Sequence, residues 1–114
     1  MHEFKEMSDR LPTHLYVDAH LSTLTARGVY YTYLQKGNAS SGLILLKLND
    51  LKGSIKLLAQ ERDFMSDEMT WINPLPEETL DEPAIDAYIQ RAIDRDPDLW
   101  AIEIEDANNP FEDS

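Results

Sequence analysis

Residues 43–61 read LILLKLNDLKGSIKLLAQE, and their order of apolar and turn residues decides the fold. LILLKL, 43–48, is almost continuously apolar, the pattern of an inner strand covered on both faces. NDLKG, 49–53, supplies turn residues, and SIKLLAQE, 54–61, predicts a strand that returns beside the first. This hairpin is the anchor from which the rest of the chain is placed.

Upstream, VYYTYL at 29–34 is β-branched and aromatic, with Val29, Tyr31 and Tyr33 on one face. KGNASSG, 36–42, is a loop. Before it, LPTHLYVDAHLSTLTARG predicts a helix, with Pro12 at the entry, Thr13 as a cap and Gly28 as the left-handed residue after its end. Val17, Leu21 and Leu24 repeat at helical spacing. Downstream, RDFMSDE is a turn and MTWINPL a short strand ended by Pro74 and Pro76. A proline- and acid-rich connector, PLPEETLDEP, leads to a second helix capped by Asp81. Its buried stripe is Ile85, Tyr88, Ile89, Ala92 and Ile93, and Pro97 ends it near Asp96. LWAIEIE then alternates, with Trp100, Ile102 and Ile104 inward and Ala101, Glu103 and Glu105 outward. The tail DANNPFEDS has turn chemistry and frays unless Phe111 docks on the body.

The resulting order is α-β-β-β-β-α-β, an α+β chain. Hairpin succession predicts a mainly antiparallel sheet of four to five strands. Two amphipathic helices on one face of it give a two-layer sandwich, leaving an open face with Lys, Gln, Glu and tyrosines. The domain spans 11–106, between a polar segment at 1–10 and a polar tail at 107–114.

Composition sets limits on function. The chain of 114 residues has no cysteine and a formal charge of −12. Disulfides, thiolate metal sites and a cysteine nucleophile are excluded. Residues 1–62 carry eight Lys or Arg against six Asp or Glu, whereas residues 63–114 carry two against sixteen. Such a surface repels phosphate, so neither nucleic acid nor an anionic membrane is an expected partner. The N-terminal stretch has no apolar signal region and no run is long enough to span a bilayer, which makes the cytoplasm the expected location.

The search for chemistry yields few candidates. Asp94, Asp96, Asp98 and Glu105 mimic the spacing of a calcium loop, but Leu99 stands where glycine is required and Pro97 stiffens the turn. No metal or cofactor is therefore expected. His14 and Asp18 are helical neighbours at i,i+4, and Glu103 and Glu105 share a strand face. These four are the weak candidates for acid–base work. His20 lies on another helix face from His14, which excludes a zinc pair. No nucleophile elbow or phosphate loop occurs. Lys36, Lys47, Lys52, Lys56 and Arg62 form a mild basic cluster about the hairpin, which weakly resembles a single-strand-binding platform but is explained as well or better by edge-strand protection.

LPTHLYVDAHL, LILLKLN and YIQRAIDRDPDLWAIEIED together resemble domain of unknown function family 1491, small acidic proteins found chiefly in alphaproteobacteria. The similarity runs from about residue 11 to 106, with RDPDLWAIEIED its most specific part. It implies a single-domain cytoplasmic protein and transfers no activity, ligand or residue role. Arg95, Asp96, Pro97, Asp98 and Trp100 match the pattern, and a helix-to-strand corner accounts for them. The expected function is a non-enzymatic protein-interaction or regulatory domain, binding a protein partner or itself. Its surface would include Tyr30, Lys47, Lys56, Glu103 and Glu105. One alternative is a small-ligand or metal-dependent enzyme using His14 and Asp18 with Glu103 and Glu105. Another is an acidic mimic of nucleic acid.

Overall fold

Two helices and five strands follow in the order read from the sequence: α1 (Thr13–Ala26), β1 (Tyr31–Gln35), β2 (Ile44–Asn49), β3 (Ile55–Arg62), β4 (Met69–Ile72), α2 (Glu82–Arg95) and β5 (Trp100–Ile104). The structure, a computed structural model, describes residues 11–63, 65, 66, 68–75 and 81–112. The polar segment at 1–10 and most of the connector, 76–80, lie outside the described residues.

The α+β class is borne out, and one parallel pairing enters the sheet. Its order is β1-β5-β2-β3-β4. β1–β5, β2–β3 and β3–β4 are antiparallel, whereas β5 runs parallel to β2. Chain neighbours β1 and β2 do not pair, because β5 is inserted between them. The loop 36–42 spans that gap, and α2 is the crossover that carries the chain back from the β4 edge to the middle of the sheet.

The two-layer arrangement is corrected. Ile44, Leu46 and Leu48 of β2, with Trp100, Ile102 and Ile104 of β5, pack on Val17, Leu21 and Leu24 of α1. The alternate residues Leu45 and Ala101, with Leu57, pack on Ile85, Ile89 and Ala92 of α2. Successive side chains on a strand point to opposite faces, so the helices cover opposite sides of the sheet. The physical reason lies in LILLKL itself: Ile44 to Leu48 are all buried, and one helix cannot cover both faces of a strand.

The helix ends show which local signals hold. Asp81 caps α2 by accepting a hydrogen bond from the Ala84 N–H at 2.9 Å, and Asp96 is extended ahead of Pro97. Gly28 has φ 76°, as its place after α1 demands. The cap expected from Thr13 is not made. Pro12 holds the cap position without a side-chain bond, and the Ala39 carbonyl accepts from the His14 N–H at 3.0 Å instead. A loop from elsewhere in the chain thus satisfies an N–H that the helix itself cannot.

RDPDLW is the predicted corner, and the loop 36–42 is laced to it. The Asp98 N–H donates to Asp96 Oδ1 at 3.0 Å, and the Gln35 amide donates to the Asp96 and Leu99 carbonyls at 3.0 and 2.8 Å. The Asn38 N–H donates to the Asp98 carbonyl, and the Trp100 indole N–H donates to the Asn38 carbonyl at 3.0 Å. A Cβ at Gly37 or Gly42 would collide with that same Asp98 carbonyl. Phe111 is buried against Tyr16, His20 and Trp71, so the tail is tied down as far as that ring.

Candidate functional site

The sheet has two edge strands, and they differ in chemistry. β4 is four residues long and runs into Asn73 and Pro74, which limit any further pairing. β1 is five residues long, and 29–35, VYYTYLQ, carries no charge and no proline. Natural edges are commonly guarded by lysine, proline or a bulge. Here such devices are confined to the far end, where the register shifts between Tyr33 and Gln35 and Lys36 follows.

The hydrogen-bond phase of β1 follows from one contact. The Glu105 N–H donates to the Tyr30 carbonyl at 2.9 Å, in register with the pairs Tyr31–Ile104 and Thr32–Glu103. Alternate residues of an antiparallel strand direct their backbone groups to the same side. Tyr30 and Thr32 therefore face β5, while the N–H and C=O groups of Tyr31 and Tyr33 point outward. Among the described residues no strand lies beyond them.

Carboxylates border this edge on both faces. On the α1 side the Tyr33 hydroxyl donates to Asp18 Oδ1 at 3.4 Å. Burial, the Asp18 charge, Tyr31 and this bond push the Tyr33 phenol up to about 12. The same contact accounts for an aspartate in mid-helix. On the α2 side Glu103 sits beside Thr32, and Glu105 continues the ladder past β5. Asp106 lies 4.0 Å from Arg27. Lys36 rests over the Tyr33 ring at 4.8 Å.

The expected residues divide accordingly. Tyr30, Glu103 and Glu105 come together at the β1–β5 ladder, and Tyr30 is 76% exposed. Lys56 is exposed on β3 opposite Leu48, two strands away from this group. Lys47 is not a surface residue. It is 4% exposed, and its Nζ lies 2.7 Å from Glu82 and from Asp86 and 3.7 Å from Glu103. Burial pushes its pKa down, but hydrogen bonds from its ammonium to Asp86 and Glu82, with the charges of Glu103 and Asp86, outweigh this and raise it. The ammonium is thus a fixed cation that ties α2 to the sheet. It is protonated at neutral pH and so is not a nucleophile.

The four acid–base candidates do not converge. His14 and Asp18 are on α1, which covers one face, and Glu103 points to the α2 face. The His14 Nδ1 is paired with the Ala39 carbonyl at 2.9 Å, making the ring a clasp for the loop 36–42. Among the described residues no three His, Asp or Glu side chains are grouped as a metal site. The lysine cluster read about the hairpin is dispersed among a loop, a buried site, a turn and exposed strand positions. No helix of the described residues is long and apolar enough to cross a membrane.

Sequence reasoning missed a cleft of about 260 Å³ between the C-terminal half of α2, the start of β2 and the later part of β3. Arg95, Asp96 and Leu99 of the corner segment line it. The only sequence signal for it was that these residues fall where a helix leaves the sheet.

The profile of a protein family of unknown function, DUF1491, matches residues 11–111. A crystal structure of a DUF1491 family protein from Caulobacter crescentus CB15 is similar at TM-score 0.75 and 32% identity, over 89% of this chain and 94% of that one. An NMR structure described in the same terms, from the same organism, is similar at TM-score 0.75 and 32% identity, over 90% and 92%. A solution structure of a protein from A. tumefaciens shares the fold at TM-score 0.65 and 24% identity, over 83% and 85%. No curated protein matches the chain.

Proposed function

The chain belongs to the DUF1491 family, and from that premise we propose that it is a non-enzymatic interaction domain whose β1 edge accepts an extended, basic segment of a partner protein as a sixth strand. The observation that carries this reading is the uncharged edge VYYTYLQ, set among carboxylates in a chain of net charge −12. Main-chain bonds to the outward groups of Tyr31 and Tyr33 supply affinity, and the flanking Asp18, Glu103 and Glu105 select basic side chains. A second copy of this chain is disfavoured as occupant, because two molecules of charge −12 repel each other.

The test is an NMR titration of the full chain with a peptide alternating lysine and valine, and with its glutamate counterpart. The lysine peptide should shift the Tyr31 and Tyr33 amides and slow their exchange, an effect weakened by salt. The exposed Leu34, changed to lysine, should weaken it at least tenfold. Equal binding of the glutamate peptide, or shifts confined to other strands, would overturn the reading. Dimerisation through β1 in sedimentation would replace the partner by a second copy.

A further inference from the structure

The cleft beneath the RDPDLW corner is independent of the β1 edge. Its apolar part is formed by Leu45, Ala59, Ala92 and Leu99, and Arg95 and Asp96 stand at its rim. At about 260 Å³ it is smaller than pockets for drug-sized molecules, which run from ~300 Å³ upward.

The rim charges are unusual for this chain. Arg95 is flanked in sequence by Asp94, Asp96 and Asp98, yet among the described residues its guanidinium makes no ion pair. Asp96 uses Oδ1 to accept from the Asp98 N–H, and its Oδ2 has no partner among the described residues. A free cation and a half-free anion thus lie side by side on one apolar cleft, unpaired with each other. The C-terminal end of α2, where the helix dipole is negative, adds to the pull on a positive group. The chain's charge of −12 discriminates against a simple anion, whereas a molecule carrying both charges meets no net repulsion.

We propose that this cleft binds a free aliphatic α-amino acid. The carboxylate pairs with the Arg95 guanidinium, whose fork suits two oxygens. The ammonium pairs with Asp96 Oδ2, and the side chain lies on Leu45, Ala59, Ala92 and Leu99. The interaction domain would then report a small metabolite as well as bind a partner.

The experiment is calorimetry and thermal shift on the full chain with L-leucine as probe. 4-Methylpentanoate lacks the ammonium, 3-methylbutylamine lacks the carboxylate, and glycine lacks the side chain. Leucine should raise Tm saturably, with each of the other three at least tenfold weaker. Arg95→Gln, at an exposed position, and Asp96→Asn, which keeps an acceptor for the Asp98 N–H, should each weaken leucine at least tenfold. Ala59→Leu should fill the cleft and abolish binding; if that variant does not fold, the two rim variants decide. The proposal is overturned if leucine gives no saturable shift, if 4-methylpentanoate binds as well, or if Arg95→Gln binds like the wild type.

Discussion

Replacing Lys47 by methionine keeps an unbranched stem and removes a charge that is 5% exposed in its side chain. The carboxylates it meets, Glu82 and Asp86, are about half exposed at 49% and 54%, so water screens what they gain from it. Each such pair contributes on the order of 0.2–1 kcal/mol. Against that stands the desolvation of the ammonium, which these contacts together offset with a net gain, as the raised pKa shows. The two half-exposed acids can turn to solvent once the cation is gone, leaving only Glu103 partly buried and unpaired. Lys47→Met should therefore stay within about 1 kcal/mol of wild type at pH 7. Lys47→Ala also loses stem packing of roughly three methylenes at about 0.8 kcal/mol each, and should cost about 2 kcal/mol more.

The pH dependence supplies an independent check. The pKa of Lys47 is raised in the folded state, so its contribution is fully present below the ordinary lysine value of about 10.4. It is lost as pH climbs through the higher folded value. Urea unfolding curves of wild type and Lys47→Met should run parallel from pH 7 to about 10. Above that range the wild type should lose stability relative to the variant. A methionine variant more than about 3 kcal/mol less stable, or one as damaged as Lys47→Ala, would show that the ions stabilise outright and refute the reasoning.

Gly42→Ala should destabilise the protein by at least about 2 kcal/mol, lowering Tm by roughly 8 °C or more, because φ is 113° and the Asp98 carbonyl and Trp100 ring occupy the space of a Cβ. Urea or calorimetric unfolding measures this, and a neutral substitution would show that the loop is not locked to the corner. Spectrophotometric titration of the tyrosines should show one phenol near 12, assigned to Tyr33. Asp18→Asn should bring it down without returning it to an ordinary value, since burial remains; an unchanged curve would mean that Asp18 does not act on Tyr33.

The linear order of elements was legible because its signals are local. Asp81, Pro97 and Gly28 mark helix ends through backbone geometry that needs no distant partner. The apolar run 43–48 stated that β2 is covered on both faces, and the expectation of two helices on one side conflicted with it. Tyr30, Glu103 and Glu105 were placed together by β-ladder register, which sequence spacing does not reveal.

What tertiary structure alone decided are the contacts across long stretches of chain. Inserting β5 between β1 and β2 depends on α2 crossing the sheet, a choice made by the whole apolar surface. That crossing buries Lys47 under Glu82 and Asp86, 35 and 39 positions away, and turns a lysine that reads as an exposed strand residue into an internal cation. It also covers Ala101, which strand alternation with Glu103 and Glu105 assigned to water. Alternation determines which residues share a face. Only the helix laid over that face determines whether it is wet.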